Sequence, residues 1–291
     1  MSSFFTKNLT AKVVLLPTVL VTLACFYGTS LWTVYISMTG SSMLPNYHFI
    51  GFDQYVRLFN TPRWDTAYAN MAIFGVLMVV GTLLMGTLLA ILIDSKVRYE
   101  GVFRTLLLYP LSMSYIVTGV AWQWVLSPTL GVQQFVRSLG WNDFTFDWIV
   151  QPERAIYTLV FAGIWHSSGL IMVLMLAGLR GVDPEIWRAT RVEGISKAKA
   201  YLHIILPMLR PVILTCVVLL TTAVVKGYDL VVAMTGGGPG YASDLPGLFV
   251  VSTAFERANI GLASAGAVIM VVSIVAALAP YLYIELSRRD K

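Results

Sequence analysis

Charged residues are absent from five long stretches of the chain: between Lys12 and Asp53, Asp65 and Asp94, Arg104 and Arg137, Arg154 and Arg180, and Arg257 and Glu285. Each stretch can house a helix of about 20 apolar residues, the length that crosses roughly 30 Å of hydrocarbon. A sixth apolar run, from Pro211 to Met234, is interrupted only by Lys226 and Asp229. The pattern predicts six helical spans, at about 13–37, 67–93, 105–126, 156–179, 211–234 and 261–284. The fold class that follows is all-α and polytopic.

Composition agrees. The chain is 57% hydrophobic and 12% charged, and its mean hydropathy of +0.74 is far above what a soluble domain carries. A single transmembrane domain over residues 1–291 is expected. The first apolar run is too long for a signal peptide and is expected to be a retained anchor. Cys25 and Cys216 both fall inside spans, far apart in sequence, so neither a disulfide framework nor a metal knuckle is suggested.

Orientation follows from Lys and Arg, which resist translocation. Alternating the loops places Lys7, Lys12, Lys96, Arg98, Arg104, six basic residues of 180–210, Arg288, Arg289 and Lys291 on one side, fourteen in all. The other side receives five: Arg57, Arg63, Arg137, Arg154 and Arg257. Both termini are therefore expected in the cytoplasm. The net charge of +5 reflects this sidedness and does not argue for nucleic acid.

The largest cytoplasmic loop reads DPEIWRATRVEGISKAKAYLHIILP, residues 183–207. Asp183 followed by Pro184 is a helix start: the carboxylate caps free N–H groups, Pro is preorganised at the first position, and Glu185 suits the positive end of the dipole. A short helix is expected over 184–193, stopped by Gly194 in a left-handed conformation. Ser196 opens a second helix to Leu206, and Pro207 marks the return to the membrane. On spacing alone the segment fits either an amphipathic hairpin on anionic headgroups or a docking element.

The same loop resembles the cytoplasmic signature of permeases of binding-protein-dependent ABC importers, Glu-Ala-Ala, three residues, Gly, nine residues, Ile, one residue, Leu-Pro. Here Arg188, Ala189, Thr190, Gly194, Ile204, Leu206 and Pro207 stand at that spacing, with Arg and Thr replacing Glu and the second Ala. The stretch YDLVVAMTGGGPGYASD, residues 228–244, together with GFDQYVRLFNTPRWDTAYAN and GVAWQWVLSPTLGVQQFVRSLG, is similar to the carbohydrate-uptake class of such permeases. The resemblance implies a type I importer permease fold in the inner membrane, with Glu185, Arg188, Ala189, Thr190, Gly194, Ile204, Leu206 and Pro207 as the coupling helix segment. It also implies a second homologous permease, two ATPase subunits that bind ATP and Mg, and a solute-binding protein that delivers a sugar or sugar-like solute.

The chain has no Walker-type Gly-Lys motif, no His-Glu-x-x-His and no Gly-x-Ser-x-Gly, so it is not expected to be an enzyme or to hold a cofactor or metal. His166, Ser167 and Ser168 read as helix contacts or pore lining rather than as catalytic groups. An ion-coupled secondary transporter is the nearer alternative; such proteins carry internal repeats and intramembrane carboxylates, for which only Asp229 is a candidate.

Polar and aromatic stripes suggest a substrate path. Ser112, Tyr115, Gly119 and Trp122 recur at spacings of three and four, as do Trp165, Ser168 and Met172, with His166 beside them. The fifth span offers Thr215, Thr222, Lys226 and Asp229 on one helix face. Hydroxyl-directed hydrogen bonds and aromatic stacking suit a carbohydrate. Interfacial belts and close helix packing account equally for such residues, and Trp124 and Trp141 fit the belt. Lys226 fits either snorkelling, with Asp229 one turn away, or a path-lining role.

Overall fold

The computed structural model describes residues 14–95 and 98–289, with side chains described to residue 279. Of the basic residues used for sidedness, Lys7, Lys12, Lys96 and Lys291 lie outside the described residues, as does the first residue of the first predicted span. All regular elements among the described residues are helical. In chain order they are α1 (Val14–Ser37), α2 (Asp53–Phe59), α3 (Pro62–Asp94), α4 (Glu100–Ser112), α5 (Tyr115–Val125), α6 (Val132–Ser138) and α7 (Ala155–Arg180). They continue with α8 (Pro184–Val192), α9 (Lys197–Met208), α10 (Arg210–Val225), α11 (Tyr228–Met234), α12 (Pro246–Phe255) and α13 (Ile260–Arg289).

The chain divides into two compact units, Met1–Thr61 with Phe249–Val271, and Pro62–Leu248 with Val272–Lys291. In the first, α1 is an apolar helix whose central stretch buries nothing. Below it Gln54 donates from Nε2 to the Thr39 carbonyl at 2.9 Å. The start of α13 is seated on this corner: a Cβ on Gly261 would lie 2.7 Å from Gln54 Nε2 and 2.8 Å from the Thr39 carbonyl oxygen, so only glycine fits.

The second unit is built on α3 against α7. Along α3 the buried residues Trp64, Ala67, Asn70, Phe74, Met78, Thr82, Gly86, Ala90 and Ile93 recur every three or four positions, which makes one stripe down the helix. Glycines bring the two backbones together: Gly86 lies under Ile171, Gly81 under Ile164, and Gly163 under Met78. Without a hydrophobic drive between helices in lipid, such close packing supplies the cohesion. Gly169 of α7 lets the α4 backbone at Leu107 approach as closely, and Gly178 faces Leu209 and Val212.

Among the described residues four helices are long and apolar enough to cross a membrane: α1, α3, α7 and the Ile260–Ala279 part of α13. They match the first, second, fourth and sixth predicted spans. The third predicted span, over 105–126, is not one straight helix: α4 and α5 pass as an apolar pair that meets at 99°. Pro110 supplies no N–H to the end of α4, Met113 and Ser114 turn extended (ψ 148° and 155°), and the Ser114 hydroxyl caps α5 by accepting from Val117 N–H. Ser112 is thus not on the face that carries Tyr115. The fifth prediction, a helix over 211–234, is also corrected. Helicity stops at Val225, because Lys226 and Gly227 take ψ values of 10° and 12°. Upstream, α9 and α10 form the second bent pair, at 72°.

Candidate functional site

The 183–207 segment folds as the two short helices its sequence predicts. An Asp183 carboxylate oxygen accepts from the Glu185 N–H at 2.8 Å and opens α8. The helix closes through Gly194, at φ +67°, with Gly194 N–H bonded to the Arg191 carbonyl at 3.2 Å and Ile195 N–H to the Thr190 carbonyl at 3.0 Å. Two carbonyls that the helix end leaves open are satisfied this way. Ser196 stands before α9, which runs two residues past Leu206 and widens to a π turn over Tyr201–Ile205. Glu185, Arg188, Ala189, Gly194 and Pro207 are exposed, Ile204 and Leu206 are half-buried, and Thr190 is buried, its hydroxyl donating to the Trp187 carbonyl at 3.1 Å.

Sequence reasoning missed how this hairpin is fixed. Trp187 of α8 meets Tyr201 of α9 edge to face at 5.1 Å, and the Tyr201 hydroxyl donates to Asp94 at the end of α3 at 3.4 Å. Arg180, at the end of α7, reaches Glu100 of α4 at 2.8 Å and Asp94 at 3.8 Å. Three helix ends and the hairpin thus share one knot of charge. The sequence supplied these residues only as charges to be counted. Val192, at the hairpin tip, is 88% exposed.

Tyr115 and Trp122 of α5 and Trp165 and His166 of α7 come together. The Tyr115 ring lies 4.1 Å from the His166 imidazole, and Trp122 stands edge-on to Trp165 at 5.6 Å and to Phe161 at 4.8 Å. Thr118, which the sequence did not single out, places Oγ1 at 3.1 Å from His166 Nδ1. The Tyr115 hydroxyl is 3.4 Å from Ser167 Oγ, and Ser168 donates to the Trp165 carbonyl at 3.3 Å. Met172 is buried in the apolar core and does not belong to this face. Gly119 does not line it either, because it packs on α11, where a Cβ would meet Ala233 at 2.7 Å. Trp124 and Trp141 are exposed, as interfacial rings would be.

Thr222, Lys226 and Asp229 are not one helix face, since the chain breaks between them. Thr222 returns its hydroxyl to the Val218 carbonyl at 2.9 Å. Lys226 and Asp229 are both exposed. The expected Lys226–Asp229 pair is not among the ion pairs of the described residues, because the break turns the two side chains out of helical register. Among the described residues no three of His, Cys, Asp and Glu converge as metal ligands would.

Residues 82–289 match the family described as "binding-protein-dependent transport system inner membrane component". The chain is 34% identical over 259 residues to a probable ABC transporter permease of Pyrococcus horikoshii, covering 88% of this chain and 89% of the relative. It is 30% identical over 274 residues to the xylose/arabinose import permease XacH of Haloferax volcanii, covering 93% and 86%. Its fold matches a chain of a bacterial alginate ABC transporter, solved in complex with an alginate pentasaccharide-bound periplasmic protein. The TM-score is 0.81 at 20% identity, over 95% of this chain and 93% of that one. The chain therefore belongs to the family of inner-membrane components of binding-protein-dependent transport systems, as a multi-pass permease.

Proposed function

We propose that this permease is one half of the transmembrane pore of an ATP-driven saccharide importer. In this reading it crosses the membrane six times, each bent helix pair counting once, with both termini in the cytoplasm on the side that gathers fourteen basic residues. A second, homologous permease completes the pore, two separate ATPase subunits bind ATP and Mg, and a solute-binding protein delivers the solute from outside. The saccharide class is supported by the xylose/arabinose name of a relative and by the Tyr115, Trp122, Trp165 and His166 cluster, whose rings and hydroxyl neighbours suit sugar C–H faces and hydroxyls.

The observation that carries the proposal is the hairpin of α8 and α9. Its outer residues, Glu185, Arg188, Ala189, Val192 and Gly194, are exposed, while Trp187 and Tyr201 clamp its two helices together and tie them to Asp94. Closure of the ATPase pair pushes this rigid knob. The push passes through α9 to the bend before α10, and through Asp94 and Arg180 to the ends of α3 and α7. The α3–α7 pair is close-packed and moves as a body, so the displacement opens or shuts the face that carries Tyr115, Trp122, Trp165, His166 and Ser168. Thr222, Lys226 and Asp229 contribute from the α10–α11 break. Reconstitution into proteoliposomes tests this: saccharide uptake is expected only with ATP, the ATPase subunits and the binding protein. Uptake driven by a proton or sodium gradient without ATP would instead establish the ion-coupled alternative.

A further inference from the structure

Beyond Met234 the chain forms a loop, 235–245, held by more polar contacts than a connector needs. Asp244, fully buried, pairs with Arg63 Nε at 2.6 Å, and the Arg63 guanidinium lies 4.6 Å from the centre of the Tyr241 ring. Asn70 donates from Nδ2 to the carbonyls of Ala242 at 3.0 Å and Asp244 at 3.1 Å. Ser243 Oγ lies 2.6 Å from the Gly238 carbonyl oxygen and 2.8 Å from Thr235 Oγ1. A buried ion pair of this kind adds little stability over apolar packing but fixes one geometry strictly.

What the fixed loop bounds is a cavity of about 360 Å³, walled by Gln123 and Ser127, by Ile149 and Val150, and by Thr235, Gly238 and Pro239 of the loop. It arises where α5 and α11, packed tightly at Gly119 and Ala233, part as α11 ends. Its volume lies near the lower end of the range for small-molecule pockets, about 300–1,000 Å³. The Gln123 side chain is exposed and makes no hydrogen bond among the described residues, so two donors and an acceptor stand open against aliphatic walls. Ile149 and Met234, which line the cavity, belong to the apolar cluster on which Tyr115 and Trp122 pack, so the cavity adjoins the aromatic cluster.

We propose that this cavity is the outer vestibule in which the permease receives a mono- or disaccharide before it reaches Trp122 and Trp165. Gln123 hydrogen-bonds the sugar hydroxyls, the aliphatic walls take its C–H face, and Arg63, Asn70 and Asp244 hold the third wall in place. The inference rests on the saccharide-import reading above.

The test uses the full complex, with its binding protein, in proteoliposomes and a labelled panel of xylose, arabinose, glucose and maltose. In a chain with Cys25 and Cys216 replaced by serine, Ser127→Cys is modified after assembly by a bulky membrane-impermeant maleimide added from outside. Uptake is expected to be lost on modification, and saccharide-loaded binding protein is expected to slow the labelling. Gln123→Ala is expected to raise the half-saturating concentration roughly three- to tenfold, the range for one lost hydrogen bond, while the complex still assembles. Full labelling with unchanged uptake, or no labelling from outside, overturns the vestibule. Absence of uptake of every sugar by the unmodified parent overturns the import reading, and the saccharide vestibule falls with it.

Discussion

Replacing Gly194 perturbs one backbone conformation at the hairpin tip and no contact within the chain. Its φ of +67° is left-handed, and a Cβ built there meets nothing within 4 Å. An L-residue in that conformation costs about 1–2 kcal/mol. Removing glycine's freedom in the unfolded chain returns about 0.5–1 kcal/mol, so Gly194→Ala should disfavour the closed turn by roughly 1 kcal/mol, about a fivefold change in its population. Valine, β-branched and an outlier at positive φ, should cost more, and asparagine, which tolerates the left-handed region, less. Reconstituted complexes carrying each variant would be compared for saccharide-stimulated ATP hydrolysis and for sugar moved per ATP. The expected order of damage is Val, then Ala, then Asn, with membrane insertion unchanged. Damage that instead follows side-chain size, with Asn worse than Ala, would mean that the position is crowded by its partner surface, and the backbone argument would be refuted. A fully coupled Gly194→Val would reduce the hairpin to a connector.

Tyr241→Cys and Val192→Cys, both at exposed positions, should react with an impermeant thiol reagent from opposite faces of the membrane; reaction of both from one face would overturn the proposed topology. Arg180→Gln should leave the melting temperature of the purified complex little changed, since its ion pairs are largely exposed and weak. Sugar moved per ATP should fall, because the ends of α3, α4 and α7 lose their common tie. Asp244→Ala should remove the carboxylate paired with the mostly buried Arg63 and cost roughly 3–5 kcal/mol, seen as a lowered melting temperature, with Asp244→Asn intermediate. Lys226→Met should alter the preference among sugars without loss of assembly if this exposed amine meets solute; an unchanged preference in competition uptake would assign it to the membrane interface.

Much of the fold was legible because a bilayer imposes a simple rule on composition. The charge-free runs became α1, α3, α7 and much of α13, and the Asp183–Pro184 start and Gly194 stop of α8 fell where capping chemistry places them. The α4–α5 bend and the α10–α11 break were not legible. Met113 and Ser114, like Lys226 and Gly227, interrupt helicity without adding enough polarity to break an apolar window, and hydropathy counts residues without registering direction. The aromatic cluster was half-visible: spacing put Tyr115 and Trp122 on one face, but only the packing of α5 on α7 supplied Thr118 and Phe161, and only tertiary packing assigned Gly119 to α11 and Met172 to the core. The Asp94, Glu100 and Arg180 knot and the Arg63–Asp244 pair join residues far apart in sequence. Pattern along one helix carries no information about such partners.

The glycine-lined union of α3 with α7 also sets a timetable for biosynthesis. Between the end of α3 at Asp94 and the end of α7 at Arg180 the ribosome must add the intervening chain, which at roughly 5–20 residues per second takes about 4–17 s. Through that interval α3 waits in the bilayer with the stripe meant for α7, including Gly81 and Gly86, facing lipid or the insertion machinery. The smooth glycine surface that later allows tight docking gives the waiting helix little to hold. Nascent permease stalled before α7 should therefore be the species most exposed to membrane quality control, and shielding of α3 by a chaperone or insertase should matter most in that window.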